Sequence, residues 1–289
     1  MTRWEPITGR YLTVDILGKP NRIYVEESGS GTPVLCLHTA GADSRQYRHL
    51  QNDPDVLSDF RIIAFDLPWH GKSLPPEHWW TQEYLLTAEL YVETIMAVVR
   101  ALELVNPIVV GCSMGGSVVL ELARTHGDEL AGVVGFSGAA KVNGRFHDWP
   151  LMPDINSNQV VPSWTYSLMA PQSPTAARKE VWWIYSQGGP GIYRGDTYFY
   201  SDGLDLRGQE SEIDTTLCPV YLYTGEYDYA CTSEETQHTL DLIPGSHGGT
   251  MPGIGHFPVS ENYPLCKTYL KPAIDELSRL RAAAVSAGS

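Results

Sequence analysis

The stretch Gly111-Cys112-Ser113-Met114-Gly115-Gly116 limits what this chain can fold into more than any other. Before it stands Pro107-Ile108-Val109-Val110, short, apolar and β-branched, which reads as a buried strand. After it, Ser117 to Arg124 has helix-compatible spacing. Ser113 therefore falls on a tight strand-to-helix turn, the setting of a nucleophile elbow. So sharp a turn needs very small residues on either side of the serine, which accounts for Gly111 and Gly115. The Ser113 hydroxyl would stand clear of the sheet, with the Met114 N–H pointing towards any oxygen bound beside it. An ordinary Gly-rich turn can use the same residues, so the reading depends on partners elsewhere in the chain.

The rest of the chain repeats the strand-then-helix pattern. Tyr11–Leu17 and Arg22–Glu26, joined by Gly18-Lys19-Pro20-Asn21, read as an opening hairpin. Pro33–Leu37 is a short apolar strand ending in His38-Thr39-Ala40-Gly41, and a helix capped by Asp43 or Ser44 is predicted to run to about Leu57. Arg61–Phe65 is the next strand, followed by a helix predicted over Thr81–Leu104. Ala131–Phe136 and Pro219–Tyr223 are strands, Thr232–Leu242 a helix, Gly249–Met251 a weak last strand, and about Tyr263–Arg281 a final helix. This order argues for an α/β fold, a mostly parallel sheet with helices on both faces. From about Ala140 to Glu212 the alternation stops and Pro, Trp, Tyr and Gly become dense. A structureless loop of that length is improbable inside a compact domain. Residues 140–212 are therefore read as an inserted helical cap on a core of 1–139 and 213–289.

A serine hydroxyl is a weak nucleophile until a base takes its proton, and a carboxylate that orients the base improves it. Just past predicted strands the chain offers Ser113, Asp228 and His256, and the carboxyl ends of parallel strands form one crevice. His256 is one of nine histidines, preferred because it lies in a Gly-Ile-Gly-His-Phe-Pro loop after the last strand. His247 is its closest rival; His38 precedes the serine and is expected to brace the oxyanion loop, His38-Thr39-Ala40-Gly41, through hydrogen bonds, and His70 to be structural. Asp228 is preferred over Glu226 on its spacing from the strand end at Gly225. The oxyanion donors are expected to be the Met114 and Ala40 amides, with Thr39 as the alternative to Ala40.

Composition excludes several other classes. The formal net charge of −14 would repel a phosphate backbone, so nucleic acid is not an expected partner. No stretch is long enough to cross a membrane, and Met1–Pro6 lacks an apolar leader, so a cytoplasmic protein is expected. Five scattered cysteines without C-x-x-C spacing indicate neither a disulfide framework nor a metal site. A homodimer is left open.

The elbow, the His38–Gly41 loop, Asp66-Leu-Pro-Trp-His-Gly-Lys-Ser73, Gly225-Glu-Tyr-Asp228 and Gly255-His-Phe-Pro258 together resemble the α/β-hydrolase superfamily. The match is to its esterase, carbon–carbon hydrolase and cofactor-free haloperoxidase branch, over about residues 20 to 280 apart from the cap. The resemblance implies an eight-stranded sheet, a cap over the site, no cofactor and a Ser-His-Asp triad. There are two departures: Thr39 and Trp69 stand where the family pattern has glycine. Caps in this superfamily line the acyl or alcohol pocket, which points to a hydrophobic or aromatic small-molecule substrate. Thr39, Arg45, Tyr47, Trp164 and Trp183 are the pocket candidates, and an arginine after the oxyanion loop is a candidate for a substrate carboxylate. The expected activity is hydrolysis of a small carboxylic ester, lactone or related acyl compound. The alternatives are carbon–carbon hydrolysis of a diketone ring-cleavage product and a small-molecule receptor on the same fold.

Overall fold

The computed structural model of the chain describes residue 2 and residues 4–288; the reading of the chain start rests partly on Met1 and Arg3, which lie outside them. β1 (Thr8–Ile16) and β2 (Lys19–Gly29) form an antiparallel hairpin, turning at Leu17 and Gly18, both at positive φ. β3 (Thr32–Leu37), β4 (Phe60–Phe65), β5 (Ile108–Cys112), β6 (Gly132–Phe136), β7 (Val220–Gly225) and β8 (His247–Met251) complete one sheet of eight strands. Its order is β1-β2-β4-β3-β5-β6-β7-β8; β2 meets β4 antiparallel, and every later pairing is parallel.

The central strands are buried on both sides because their residues alternate between two cores. Leu35, Leu37 and Val109 face one, while Val34, Cys36, Ile108 and Val110 face the other. The first core is covered by α2 (Ala88–Ala101) and α3 (Met114–His126). The second is covered by α1 (Pro54–Leu57) and the last helix, which contributes Cys266, Leu270, Ala273, Ile274 and Leu277 at helical spacing. Between β6 and β7 lie α4 (Ser157–Tyr166), α5 (Thr175–Tyr185) and α6 (Ile192–Tyr198). After β7 come α7 (Ser233–Leu242), α8 (Pro258–Glu261) and α9 (Tyr263–Gly288). No helix of the described residues is long and apolar enough to cross a membrane.

Three helix expectations are corrected. The span after Asp43 is broken into 3-10 turns at Ser44–Tyr47 and Leu50–Asn52, followed by α1. Pro54 disfavours helical backbone at Asp53, which is extended and caps a new helix by accepting from the Asp55 N–H. The helix expected from Thr81 starts at Ala88, where Thr87 accepts the Leu90 N–H as its N-cap. Leu86 is instead tied by its N–H to the Gly195 carbonyl at 3.1 Å, a tertiary contact that overrides the apolar spacing. The last helix runs on to Gly288.

Candidate active site

Ser113 has φ 59° and ψ −117°, a region costing on the order of 1–3 kcal/mol for a non-glycine residue. The surroundings fix it there. Its N–H donates to the Phe136 carbonyl at 2.8 Å, and its own carbonyl accepts from Ser117 at 2.9 Å. A Cβ on Gly111 would lie 2.1 Å from the Gly115 oxygen, and one on Gly115 would lie 2.7 Å from the Leu37 oxygen. Glycine at both positions lets the turn close against β3 and aims the serine out of the sheet.

Asp228 follows β7 and His256 follows β8, and the strand ends bring both to Ser113. His256 Nε2 lies 2.9 Å from Ser113 Oγ, and Nδ1 lies 2.7 Å from Asp228 Oδ2. All three residues are buried. Asp228 Oδ1 accepts the Ala230 and Cys231 N–H groups at 2.8 and 3.1 Å, which fixes the carboxylate. In this geometry Nδ1 carries a proton to the carboxylate, leaving Nε2 free to accept from serine. Glu226 is exposed and, among the described residues, accepts the Gly253 N–H at 2.9 Å. His247 pairs along β8 with Tyr221, away from this cluster.

Glu261, a residue the sequence reading did not single out, holds the histidine loop. Its Oε1 accepts the Gly255 N–H (2.8 Å), the Ala170 N–H (3.1 Å) and the Ser173 hydroxyl (2.8 Å). Its Oε2 accepts the Phe257 N–H at 3.1 Å, so both neighbours of His256 are anchored to one carboxylate. Burial pushes the Glu261 carboxyl above its ordinary pKa, partly offset by these donors.

The loop after β3 is fixed with equal economy. Thr39 N–H donates to Gln46 Oε1 at 2.9 Å, and Gln46 Nε2 donates to Thr39 Oγ1 at 2.7 Å. The Thr39 carbonyl accepts from His38 Nδ1 (2.9 Å) and the Ala42 N–H (3.1 Å). His38 Nε2 accepts the Leu67 N–H at 3.1 Å, so the ring is neutral with its proton on Nδ1. Burial and the neighbouring His70 hold the His38 pKa below its ordinary value. Among the described residues, the Ala40 and Met114 amides have no hydrogen-bond partner. Two buried, unspent N–H groups flanking a serine are suited to receive an oxyanion.

The cavity at Ser113 is lined by Ala40, Arg145, Tyr185, Tyr193, Tyr200 and Phe257 among others, with a free volume of about 10 Å³. That is room for roughly one water. None of the five pocket candidates lines this cavity. Tyr47 is buried in the second core, donating its hydroxyl to the Leu37 carbonyl at 2.8 Å, and does not reach the cavity. Arg45 is spent on Asp43 and on Gln187 Oε1, and covers the Trp183 ring. Trp164 and Trp183 sit on the outer sides of α4 and α5, 37% and 49% exposed. Thr39 turns its hydroxyl to Gln46 and to the Tyr185 hydroxyl, so Tyr185 rather than Thr39 faces the cavity. The helices between β6 and β7 instead supply Tyr185, Tyr193 and Thr197. The aromatic density of that segment was the signal for these residues, but it did not say which rings point inwards. Trp69 takes φ 78°, the left-handed backbone that favours the glycine of the family pattern, and packs its ring on Tyr84 at 5.2 Å. Among the described residues, no group of three or more His, Cys, Asp or Glu side chains is placed to hold a metal ion.

A family model for the alpha/beta hydrolase fold matches residues 32–178, just over half of the chain, and the chain belongs to that family. It is 24% identical over 260 residues to 2-hydroxy-6-oxo-6-(2'-aminophenyl)hexa-2,4-dienoic acid hydrolase of Metapseudomonas resinovorans, covering 82% of this chain and 81% of that one. It is 29% identical over 119 residues to an AB hydrolase superfamily protein of Bacillus subtilis, covering 41% of this chain and 42% of that relative's length. Thus the chain spans well under two thirds of several curated relatives it matches. Among solved structures, an enol-lactonase from Burkholderia xenovorans superposes with TM-score 0.77 at 17% identity, over 93% of this chain and 100% of that one. A thermophilic esterase from Thermogutta terrifontis does so with TM-score 0.76 at 18% identity, over 93% and 99%. These likenesses establish a shared fold.

Proposed function

We propose that the chain is a serine hydrolase that cleaves small carboxylic esters or lactones through an acyl-enzyme. The observation that carries this is the continuous hydrogen-bonded line from Asp228 through His256 to Ser113, with the Ala40 and Met114 amides unspent beside it. Ser113 Oγ attacks the carbonyl carbon as His256 Nε2 takes its proton, and Asp228 stabilises the imidazolium. The carbonyl oxygen gains charge and is held by the two amides. His256 then gives its proton to the leaving alkoxide, leaving an acyl group on Ser113. A water, deprotonated by His256, attacks that ester and releases the acid. Each oxyanion donor is worth about 2.7–4 kcal/mol of barrier in such chemistry.

In this reading residues 140–212 act as the cap, supported by the side chains they place around Ser113. The aromatic lining suits an apolar or aromatic acyl group. Arg145 adds a preference. It is half-buried on the cavity wall, lies over the Trp164 ring at 5.8 Å and hydrogen-bonds Tyr193, but forms no ion pair among the described residues. A substrate carrying its own carboxylate would neutralise it. The test is a panel of p-nitrophenyl esters, lactones, amides and diketones run on the wild-type chain and Ser113→Ala. Repeated ester or lactone turnover that Ser113→Ala abolishes is expected. Turnover confined to vinylogous diketones would favour carbon–carbon hydrolysis, a reading the Metapseudomonas relative keeps in view. Labelling without turnover would favour a receptor.

A further inference from the structure

Asp196, on α6, is fully buried and uses both carboxylate oxygens. Oδ1 accepts the Tyr84 hydroxyl at 2.7 Å. Oδ2 accepts the Gly41 N–H at 2.7 Å and His70 Nε2 at 2.7 Å. His70 Nδ1 faces the Pro68 carbonyl at 3.0 Å. A carbonyl and a carboxylate only accept, so both ring nitrogens carry protons and His70 is an imidazolium paired with Asp196. One cap helix thereby supplies the charge that meets the oxyanion loop, the loop after β4 and the segment before α2.

The consequence follows from peptide planarity. The Ala40 N–H belongs to the peptide whose carbonyl is Thr39 O, which His38 and the Ala42 N–H hold. In a trans peptide the N–H points opposite to that carbonyl. The next peptide carries the Gly41 N–H, and Asp196 holds it. The two peptides on either side of the Ala40 Cα are thus fixed by separate groups, one in the core and one on α6. The same helix presents Tyr193 and Thr197 to the cavity. Tyr193 also packs against Gly41, where a Cβ would come within 2.9 Å of its ring. With about 10 Å³ free beside Ser113, a substrate needs lining side chains to give way, Tyr193 and Thr197 of α6 among them. Moving α6 would withdraw the Asp196 carboxylate from the Gly41 N–H.

We propose that Asp196 is a positioning residue that ties the seating of α6 to the His38–Gly41 oxyanion loop: with α6 packed down it fixes the peptide after Ala40, and so keeps the Ala40 amide, oriented through the Thr39 carbonyl, on its aim at Ser113. The proposal rests on the serine-hydrolase reading and adds that the seating of α6 steadies the oxyanion loop. Two sets of measurements test it. In Asp196→Asn, kcat for a p-nitrophenyl ester is expected to fall about 10- to 100-fold, short of the roughly 10²–10³ lost when a donor is removed outright. KM should stay within about twofold. Affinity for a boronic acid, which forms a tetrahedral adduct on serine, should fall by the same factor as kcat/KM, while affinity for the product acid holds. An unchanged kcat, or equal losses for boronic acid and product, would overturn the proposal. The second measurement needs no variant and decides the matter if Asp196→Asn does not fold. Hydrogen exchange at the Gly41 amide of the wild-type chain should be slow, and slower still once a phosphonate occupies Ser113, because coupling between sites is reciprocal. Exchange indifferent to the phosphonate would contradict it. Ester turnover that survives Ser113→Ala would instead defeat the hydrolase reading itself, whatever Asp196→Asn does.

Discussion

Two carboxylates stand close together after β7, and their surroundings give them different work. Asp228 is buried, braced by two backbone amides and bonded to His256, whereas Glu226 is exposed and bonded to the Gly253 N–H. Asp228→Asn should lower kcat about 10³–10⁴-fold, since an amide in place of the carboxylate favours the wrong imidazole tautomer. Glu226→Gln should change it by less than about threefold; steady-state kinetics on one ester checks both. Two neighbouring rings, His38 and His70, 4.8 Å apart, are expected to act on stability in opposite senses. His70 is pushed down by burial, but the Asp196 carboxylate and the Pro68 carbonyl lift it above the ordinary value of 6.5. Its contribution to stability is therefore full below that value and lost as pH rises through its raised pKa. His38, held below 6.5, contributes fully above that value and loses its share as pH falls through its lowered pKa. Unfolding free energies measured against pH should lose the alkaline decline in His70→Gln and the acidic decline in His38→Gln. Parallel curves for all three chains would refute both assignments. At this scale the sequence was informative where chemistry restricts residue type. Ser113, Asp228 and His256 could be picked from their positions after strands. Glu261 and Asp196 could not, because a carboxylate that accepts backbone amides from distant loops leaves no local pattern.

The strands were legible for the same reason that their ends matter. Short β-branched runs buried on both faces have few other uses, and β3, β5, β7 and β8 each lead into a candidate site residue. Helices were less so. Apolar spacing over 81–104 suggested one helix, but Leu85 and Leu86 lie in a non-helical segment that Leu86 ties to α6. In α5 the buried residues are Val181, Ile184 and Tyr185, at i, i+3 and i+4, so Trp182 and Trp183 fall on the outer face. That periodicity was present in the sequence, and ring size drew attention to the wrong residue. The element that most needs testing is the loop from β8 into α8. Glu261→Gln would set an amide donor against one of the N–H groups the carboxylate now accepts. A loss of about 1–3 kcal/mol in unfolding free energy is expected, with a fall in kcat, because His256 loses its anchors on both sides. A variant as stable and active as wild type would show that the loop holds itself.

At the scale of the whole molecule, the proposed reading gives the sheet and the helices between β6 and β7 separate tasks. The sheet brings Ser113, Asp228 and His256 together at its strand ends, and the helices between β6 and β7 supply Thr165, Tyr185, Tyr193 and Thr197 to the cavity beside them. The sheet's architecture was readable because α/β alternation imposes it. The cavity wall was not, since which face of α4, α5 or α6 turns inwards depends on contacts with loops far away in sequence. Arg145 shows this. It sits outside any helix, in the segment between β6 and the Trp149–Leu151 turn, and only the folded chain puts it beside Ser113. Arg145→Met should raise KM for an ester carrying a free carboxylate by about tenfold or more, and leave a neutral ester of similar size within about twofold. Equal effects on the two would remove Arg145 from the binding role.

The central claim is that Ser113 carries the acyl group. The most direct measurement is rapid mixing of the wild-type chain with a slowly deacylating p-nitrophenyl ester, followed by intact-mass analysis after an acid quench. A burst of p-nitrophenol stoichiometric with the chain is expected, with one acyl group added to the mass at Ser113 and neither signal in Ser113→Ala. Turnover without burst or adduct, persisting in Ser113→Ala, would contradict it.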